Sequence, residues 1–168
     1  NMIISDYTSV VKKVSKSLVT ITGDNGEDNS VTGVVITERG VILTNYSGIK
    51  DMEHLNVIFN NDDEESVEGK LLLKDEEFDL ALIQVDYAGN IQAIKLADED
   101  SIVEGEGIAV LGSVYSEGQK IESIIPGIIV ARYNKSGKYD TLVEECTLLQ
   151  ISAPINLNNT GGPICNAN

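Results

Sequence analysis

An all-β fold is predicted by three observations: short β-branched apolar runs recurring about every ten residues, clusters of turn residues between them, and one clear hairpin. A β-barrel or a β-sandwich satisfies that pattern. The composition agrees, since the 168 residues are 42% hydrophobic and 23% charged with 15 glycines, inside the range of globular domains. A chain of this length buries most of its surface in one domain or in a compact two-lobed one.

The first element is the exception to the β pattern. Ser5 and Asp6 precede Val10, Val11 and Val14, a capped amphipathic helix of two or three turns with Lys12 and Lys13 facing water. From Leu18 onward the period changes to that of strands. The runs are SLVTITG, VTGVVIT, GVILTN, HLNVIFN, VEGKLLLK and DLALIQV, then GIAVLGS, IESIIPGIIVARY, TLLQIS and GGPIC. VVIT and VILT flank ERG, where Gly40 suits the positive-φ position of a short hairpin loop. A polar connection between Val85 and Gly105 divides the strands into six or seven before it and four after it. This places a first lobe at about 17–86, a linker at about 87–104 and a second lobe at about 105–168. No fixed-period repeat or low-complexity tract interrupts the pattern.

Charge narrows the function classes. Twelve basic residues against 27 acidic ones give a formal charge of -15, which repels a phosphate backbone or an anionic bilayer. Nucleic acid and membrane contact are therefore not expected. The acidic stretches DNGED, DDEE, KDEEFD and DEDSIVEGE read as solvated loops, and none has the ligand spacing of a calcium loop. With two cysteines, Cys146 and Cys165, and one histidine, His54, a four-ligand zinc site of nitrogen and sulfur donors cannot be assembled. No metal or cofactor is expected. Both cysteines lie in apolar contexts and read as free core thiols. No stretch approaches the ~18 apolar residues of a membrane span. Asn45-Tyr46-Ser47, Asn134-Lys135-Ser136 and Asn158-Asn159-Thr160 fit the glycosylation tripeptide, a pattern short enough to arise by chance.

The order of several segments adds a resemblance. An N-terminal helix, SLVTI, TGVVITERGVILTN, DLALIQVD, IKLADEDSIVEGEGIAVLG, PGIIVA and LLQISAPINLNNTGGPICN follow one another with compatible gaps over nearly the whole chain. In this the sequence resembles the protease domain of the HtrA family, a branch of the trypsin-like serine proteases. The resemblance implies two antiparallel β-barrels with a short N-terminal helix. It also implies an extracytoplasmic or membrane-anchored location in the cell envelope, and a peptide or an unfolded protein segment as partner. Because the sequence ends five residues after Pro163, the second barrel is expected to be incomplete within it.

The same resemblance locates the chemistry and shows where it departs. The family's I-L-T-N-x-H-V-V carries the general-base histidine; here ILTNYSGI puts Ser47 at that position. The D-L-A aspartate that orients the histidine is kept as Asp79. The family's N-x-G-N-S-G-G-P carries the nucleophilic serine; NLNNTGGP puts Thr160 there, and Asn158, Asn159 and Thr160 at the oxyanion-hole positions, with Asn158 replacing the glycine.

These letters predict a site without protease chemistry. A hydroxyl attacks only when a base of suitable pKa takes its proton, and loss of the triad histidine costs on the order of a million-fold in turnover in a related template. Serine cannot act as that base. Thr160 also sets a methyl group beside the attacking oxygen, and Asn158 resists the backbone conformations that glycine allows. His54, seven residues beyond Ser47, shares strand parity with Asn56 while Leu55, Val57 and Phe59 take the other face, so it is expected to face water. Asp79 is expected to serve the structure, its carboxylate satisfied by Ser47, Tyr46 or a trapped water in the space of the absent imidazole. The rival reading is an endopeptidase with an atypical site that uses Thr160; Lys50 is the nearest lysine in sequence to Ser47, with nothing to bury it.

Overall fold

A computed structural model describes residues 6–24, 26–61, 65–137 and 145–167, with backbone only at 26–28. Helix α1 runs from Thr8 to Val14 and passes into a single 3₁₀ turn, Ser15–Ser17. The N-cap residue is Tyr7, which makes no side-chain cap bond, while Asp6, one position earlier, accepts from the Thr8 backbone N–H at 2.9 Å; Ser5 lies outside the described residues. The helix packs Tyr7, Val10, Val11 and Val14 onto Leu18, Ala109, Leu111 and Cys165.

Six strands follow: β1 Leu18–Gly23, β2 Gly26–Thr37, β3 Val41–Thr44, β4 Leu55–Phe59, β5 Ser66–Asp75 and β6 Leu80–Val85. They close into an antiparallel barrel in the order β1-β2-β3-β6-β5-β4. The period-2 alternation is visible in β4, where Leu55, Val57 and Phe59 are buried with Val19, Ile21, Ile42 and Ile83 inside the barrel. Gly40 has a φ of 81° at the β2–β3 turn, as the hairpin motif requires. The sequence pattern missed the short helix α2, Tyr46–Ile49, which interrupts the chain between β3 and β4. Four residues are too few to show a helical period.

After β6 the chain crosses the barrel surface. Tyr87 stacks on Phe59 with ring centroids 4.2 Å apart, and Ile94 donates its backbone N–H to Val35 at 2.8 Å. Four strands then form a second antiparallel sheet: β7 Gly107–Ser116, β8 Gln119–Ser136, β9 Glu145–Ile151 and β10 Ile164–Cys165, in the order β10-β7-β8-β9. This is half a barrel. Strand β8 pairs with β7 along Gln119–Ile128 and with β9 along Ile129–Ser136. Two barrel-type sheets and a short helix make the trypsin-like architecture that the resemblance implies. No helix among the described residues is long and apolar enough to cross a membrane.

The lobes meet through hydroxyls. The Thr20 and Thr32 side chains, both buried, donate to the Ser113 carbonyl at 2.9 and 3.2 Å, and Thr32 Oγ1 accepts from the Ser113 N–H at 2.9 Å. Farther along the same seam, Tyr115 N–H donates to Ser30 Oγ at 2.7 Å. Isosteric Thr32→Val keeps the volume but strands the Ser113 N–H in a dry interface. It should cost about 1–3 kcal/mol of folding stability, read as a lower urea midpoint with an unchanged slope.

Candidate functional site

The site is assembled where the end of β3, the turn before β6 and the loop before β10 converge. Asp79 stands in the turn before β6 with a φ of 54°, a left-handed conformation that aspartate tolerates better than most residues. Its carboxylate faces the start of α2. Asp79 Oδ1 accepts the Ser47 N–H at 2.6 Å and Oδ2 accepts the Ser47 hydroxyl at 2.7 Å, while the Asp79 carbonyl accepts the Tyr46 N–H at 3.3 Å. Asp79 therefore caps the first turn of α2, whose own N-cap residue, Asn45, makes no side-chain cap bond.

Asn45 is turned to a different task. Its Nδ2 reaches Asp79 Oδ2 at 3.4 Å and the Asp79 carbonyl at 3.3 Å, and its Oδ1 accepts the Thr160 hydroxyl at 3.2 Å. A carboxylate can only accept, so the amide must present NH₂ to Asp79 and its oxygen to Thr160. The Asn45 amide thus spans hydroxyl and carboxylate, the two groups an imidazole would join in a triad. It transmits a hydrogen bond but no proton, because an amide oxygen is not basic near neutrality. Sequence reading singled out Ser47 and missed Asn45. The only signal was a polar residue at the exit of β3.

The loop around Thr160 is a closed helical turn. Asn156 gathers its N–H groups: its carbonyl accepts from Asn159 at 3.2 Å and from Thr160 at 3.0 Å, and its Oδ1 accepts from Asn158 at 2.9 Å. The Thr160 and Asn158 N–H groups, which stand at the positions the resemblance assigns to the oxyanion hole, are both directed into the loop. Asn159 is buried, with its Nδ2 bonded to the Pro154 carbonyl at 3.0 Å and its Oδ1 to the Asn156 N–H at 2.9 Å. Asn156 was not singled out from sequence either, although an asparagine at the start of a turn is suited to bonding the backbone two residues on.

Gly161 and Gly162 keep this loop pressed into the seam. Gly161 has a φ of 82°, and a Cβ there would lie 2.1 Å from the Thr32 carbonyl; one on Gly162 would lie 1.8 Å from the Leu111 carbonyl. The chain here is held from both sides: Thr32 N–H donates to the Thr160 carbonyl at 3.3 Å and Leu111 N–H to the Pro163 carbonyl at 3.1 Å.

With fold, order of segments and loop geometry in place, the comparison with known proteins decides the family. The model of the trypsin-like peptidase domain matches residues 31–168. The chain belongs to the trypsin-like peptidase family. Relatives named "Serine protease HtrA-like" from Staphylococcus aureus strains bovine RF122 / ET3-1, USA300 and NCTC 8325 / PS 47 are each 31% identical over 184 aligned positions, covering 95% of this chain. The chain spans 23% of the length of each of these relatives.

Among the described residues of this trypsin-like domain, His54, Lys74 and Cys165 also have shifted ionisation. His54 is exposed and pairs with Asp24, which with Glu53 holds the imidazole pKa above its ordinary 6.5. Lys74 donates to Glu76 at 2.6 Å and to the Tyr46 hydroxyl at 3.0 Å; these contacts keep its ammonium above the usual lysine range, the wrong direction for a general base. Burial among apolar side chains pushes the Cys165 thiol up to about 11, and Cys146 and Cys165 are both free. Two surface cavities have volumes of about 420 and 360 Å³. Tyr46, His54 and Glu68 line the first, Glu99, Arg132 and Cys146 the second, and neither is lined by Thr160.

The His54 pair gives a pH signature. Its raised pKa means that the pair contributes stability fully below about pH 6.5, and that the contribution disappears as pH rises through the folded-state value. In metal-free buffer the His54 ring resonances should titrate above 6.5, and Asp24→Asn should bring the midpoint back toward 6.5.

Proposed function

We propose that this domain is a trypsin-like fold without protease chemistry, an HtrA-like pseudoprotease that acts as a peptide- or protein-binding or regulatory module. One observation carries the reading: the Asn45 amide bridges the Thr160 hydroxyl and Asp79, in the connection where catalysis requires a base. The capture of the Thr160 and Asn158 N–H groups by Asn156 supports it from the other side of the reaction, because no pair of backbone donors is left to hold a developing oxyanion. Both elements of acyl transfer are lacking, and the backbone that held them is kept.

A peptide or an unfolded protein segment is the partner class that suits a fold of this kind, and the strong negative charge disfavours nucleic acid and anionic lipid. By its kinship with HtrA-like proteins we place the domain in the cell envelope, outside the cytoplasm. The test is a cleavage assay on a reductively unfolded protein, together with labelling by a fluorophosphonate. The wild-type chain and Thr160→Ala should behave alike, with no cleavage and no label. Covalent label on Thr160 in the wild type, abolished in Thr160→Ala, would establish an atypical endopeptidase instead.

A further inference from the structure

Asp24, Glu53 and His54 lie outside the triad-derived site and take no part in the reading above. Each places a potential ligand atom, an imidazole nitrogen or a carboxylate oxygen, within 4.8 Å of the other two. Two neighbouring strands lead to Asp24 and His54, and Glu53 directly precedes His54. Strands β1 and β4 pair in the register Val19↔Phe59, Thr20↔Ile58, Ile21↔Val57 and Thr22↔Asn56. Continuing that register by two residues sets residue 24 opposite residue 54, the spacing at which cross-strand side chains touch. The Asp24–His54 juxtaposition thus follows from strands whose alternate residues, Ile21, Val57 and Phe59, are buried in the barrel core.

We propose that Asp24, Glu53 and His54 form a surface site for a divalent first-row transition ion, Zn²⁺ being the best fit to one imidazole and two carboxylates. Ligand bonds of about 2.0–2.2 Å place donor atoms roughly 3–3.5 Å apart around a tetrahedral ion, and the three donor atoms already lie within 4.8 Å of one another on exposed side chains. The imidazole argues against Ca²⁺ and Mg²⁺, which take six or more oxygens. Glu68 and Glu53 both add negative potential at the imidazole. The four-ligand zinc site that the cysteine and histidine count excludes is a different arrangement; here water completes the coordination. A bound ion would tie the turn after β1 to the connection between α2 and β4, and its open positions would adjoin the 420 Å³ cavity lined by Tyr46, Glu53, His54 and Glu68.

The chain, stripped with EDTA and dialysed, is titrated with ZnCl₂ while the His54 ring resonances and the thermal midpoint are followed. One equivalent should saturate the ring shift and raise the midpoint. His54→Gln should abolish the response, and Asp24→Asn and Glu53→Gln should each weaken binding by at least about tenfold. These side chains are exposed, so unchanged far-UV dichroism identifies the variants as folded. Zinc binding of equal affinity in His54→Gln, an unmoved His54 ring at millimolar zinc, or equal saturation by CaCl₂ would overturn the assignment.

Discussion

The buried hydroxyl contacts between Thr20, Thr32 and Ser113 are what the rest of this molecule depends on. A seam between two β-lobes exposes backbone groups that no sheet ladder can pair, and threonine and serine supply the missing partners without adding charge. Thr32 is the centre of this arrangement. Its side chain grips β7, its N–H holds the Thr160 carbonyl, and its carbonyl accepts the Thr44 hydroxyl at 2.8 Å. One residue therefore registers the barrel, the half-barrel, the Thr160 loop and the end of β3 on each other. Asn45 follows Thr44 directly, which is how its amide comes to lie between Thr160 and Asp79.

The geometry separates connectivity from chemistry. A triad needs a hydrogen-bonded path from hydroxyl to carboxylate and a group on that path that changes protonation state. Here the path runs through the Asn45 amide, a group that does not change protonation state near neutrality. Ser47 stands in the histidine's place in sequence, but its hydroxyl and N–H fold back onto Asp79 as a helix cap, leaving the reach toward Thr160 to the residue two positions earlier. Asp79 accepts from Ser47, Tyr46 and Asn45, and through these bonds braces the start of α2.

The strands were legible because their information is local. Alternation in LNVIF sets which side chains point inward, and ERG announces the Gly40 turn. Segment order singled out Ser47, Asp79 and Thr160, and hydrogen bonds through Asn45 and Ser47 bring the three to one place. Asn45 and Asn156 were not legible, because periodicity reports the parity of a side chain and not which partner it meets across 115 residues of chain. Helix α2 was hidden for a related reason: its first N–H groups are satisfied by Asp79, a residue far away in sequence, so the usual local cap is missing. His54 could be placed on the wet face by parity, whereas its meeting with Asp24 required the β1–β4 register.

Strand β8 carries one more consequence. Along Gln119–Ile128 its outer side pairs with no strand among the described residues, and Ile121, Ile124 and Ile128 are exposed along it. Such an apolar edge is the kind that captures strands from other molecules. Ile128 turns its N–H and carbonyl to this outer side, where they meet Ser152, so Pro126, two residues earlier, has the same orientation. It has no N–H to offer. A strand added on this side would find the ladder broken at Pro126, between the exposed Ile124 and Ile128.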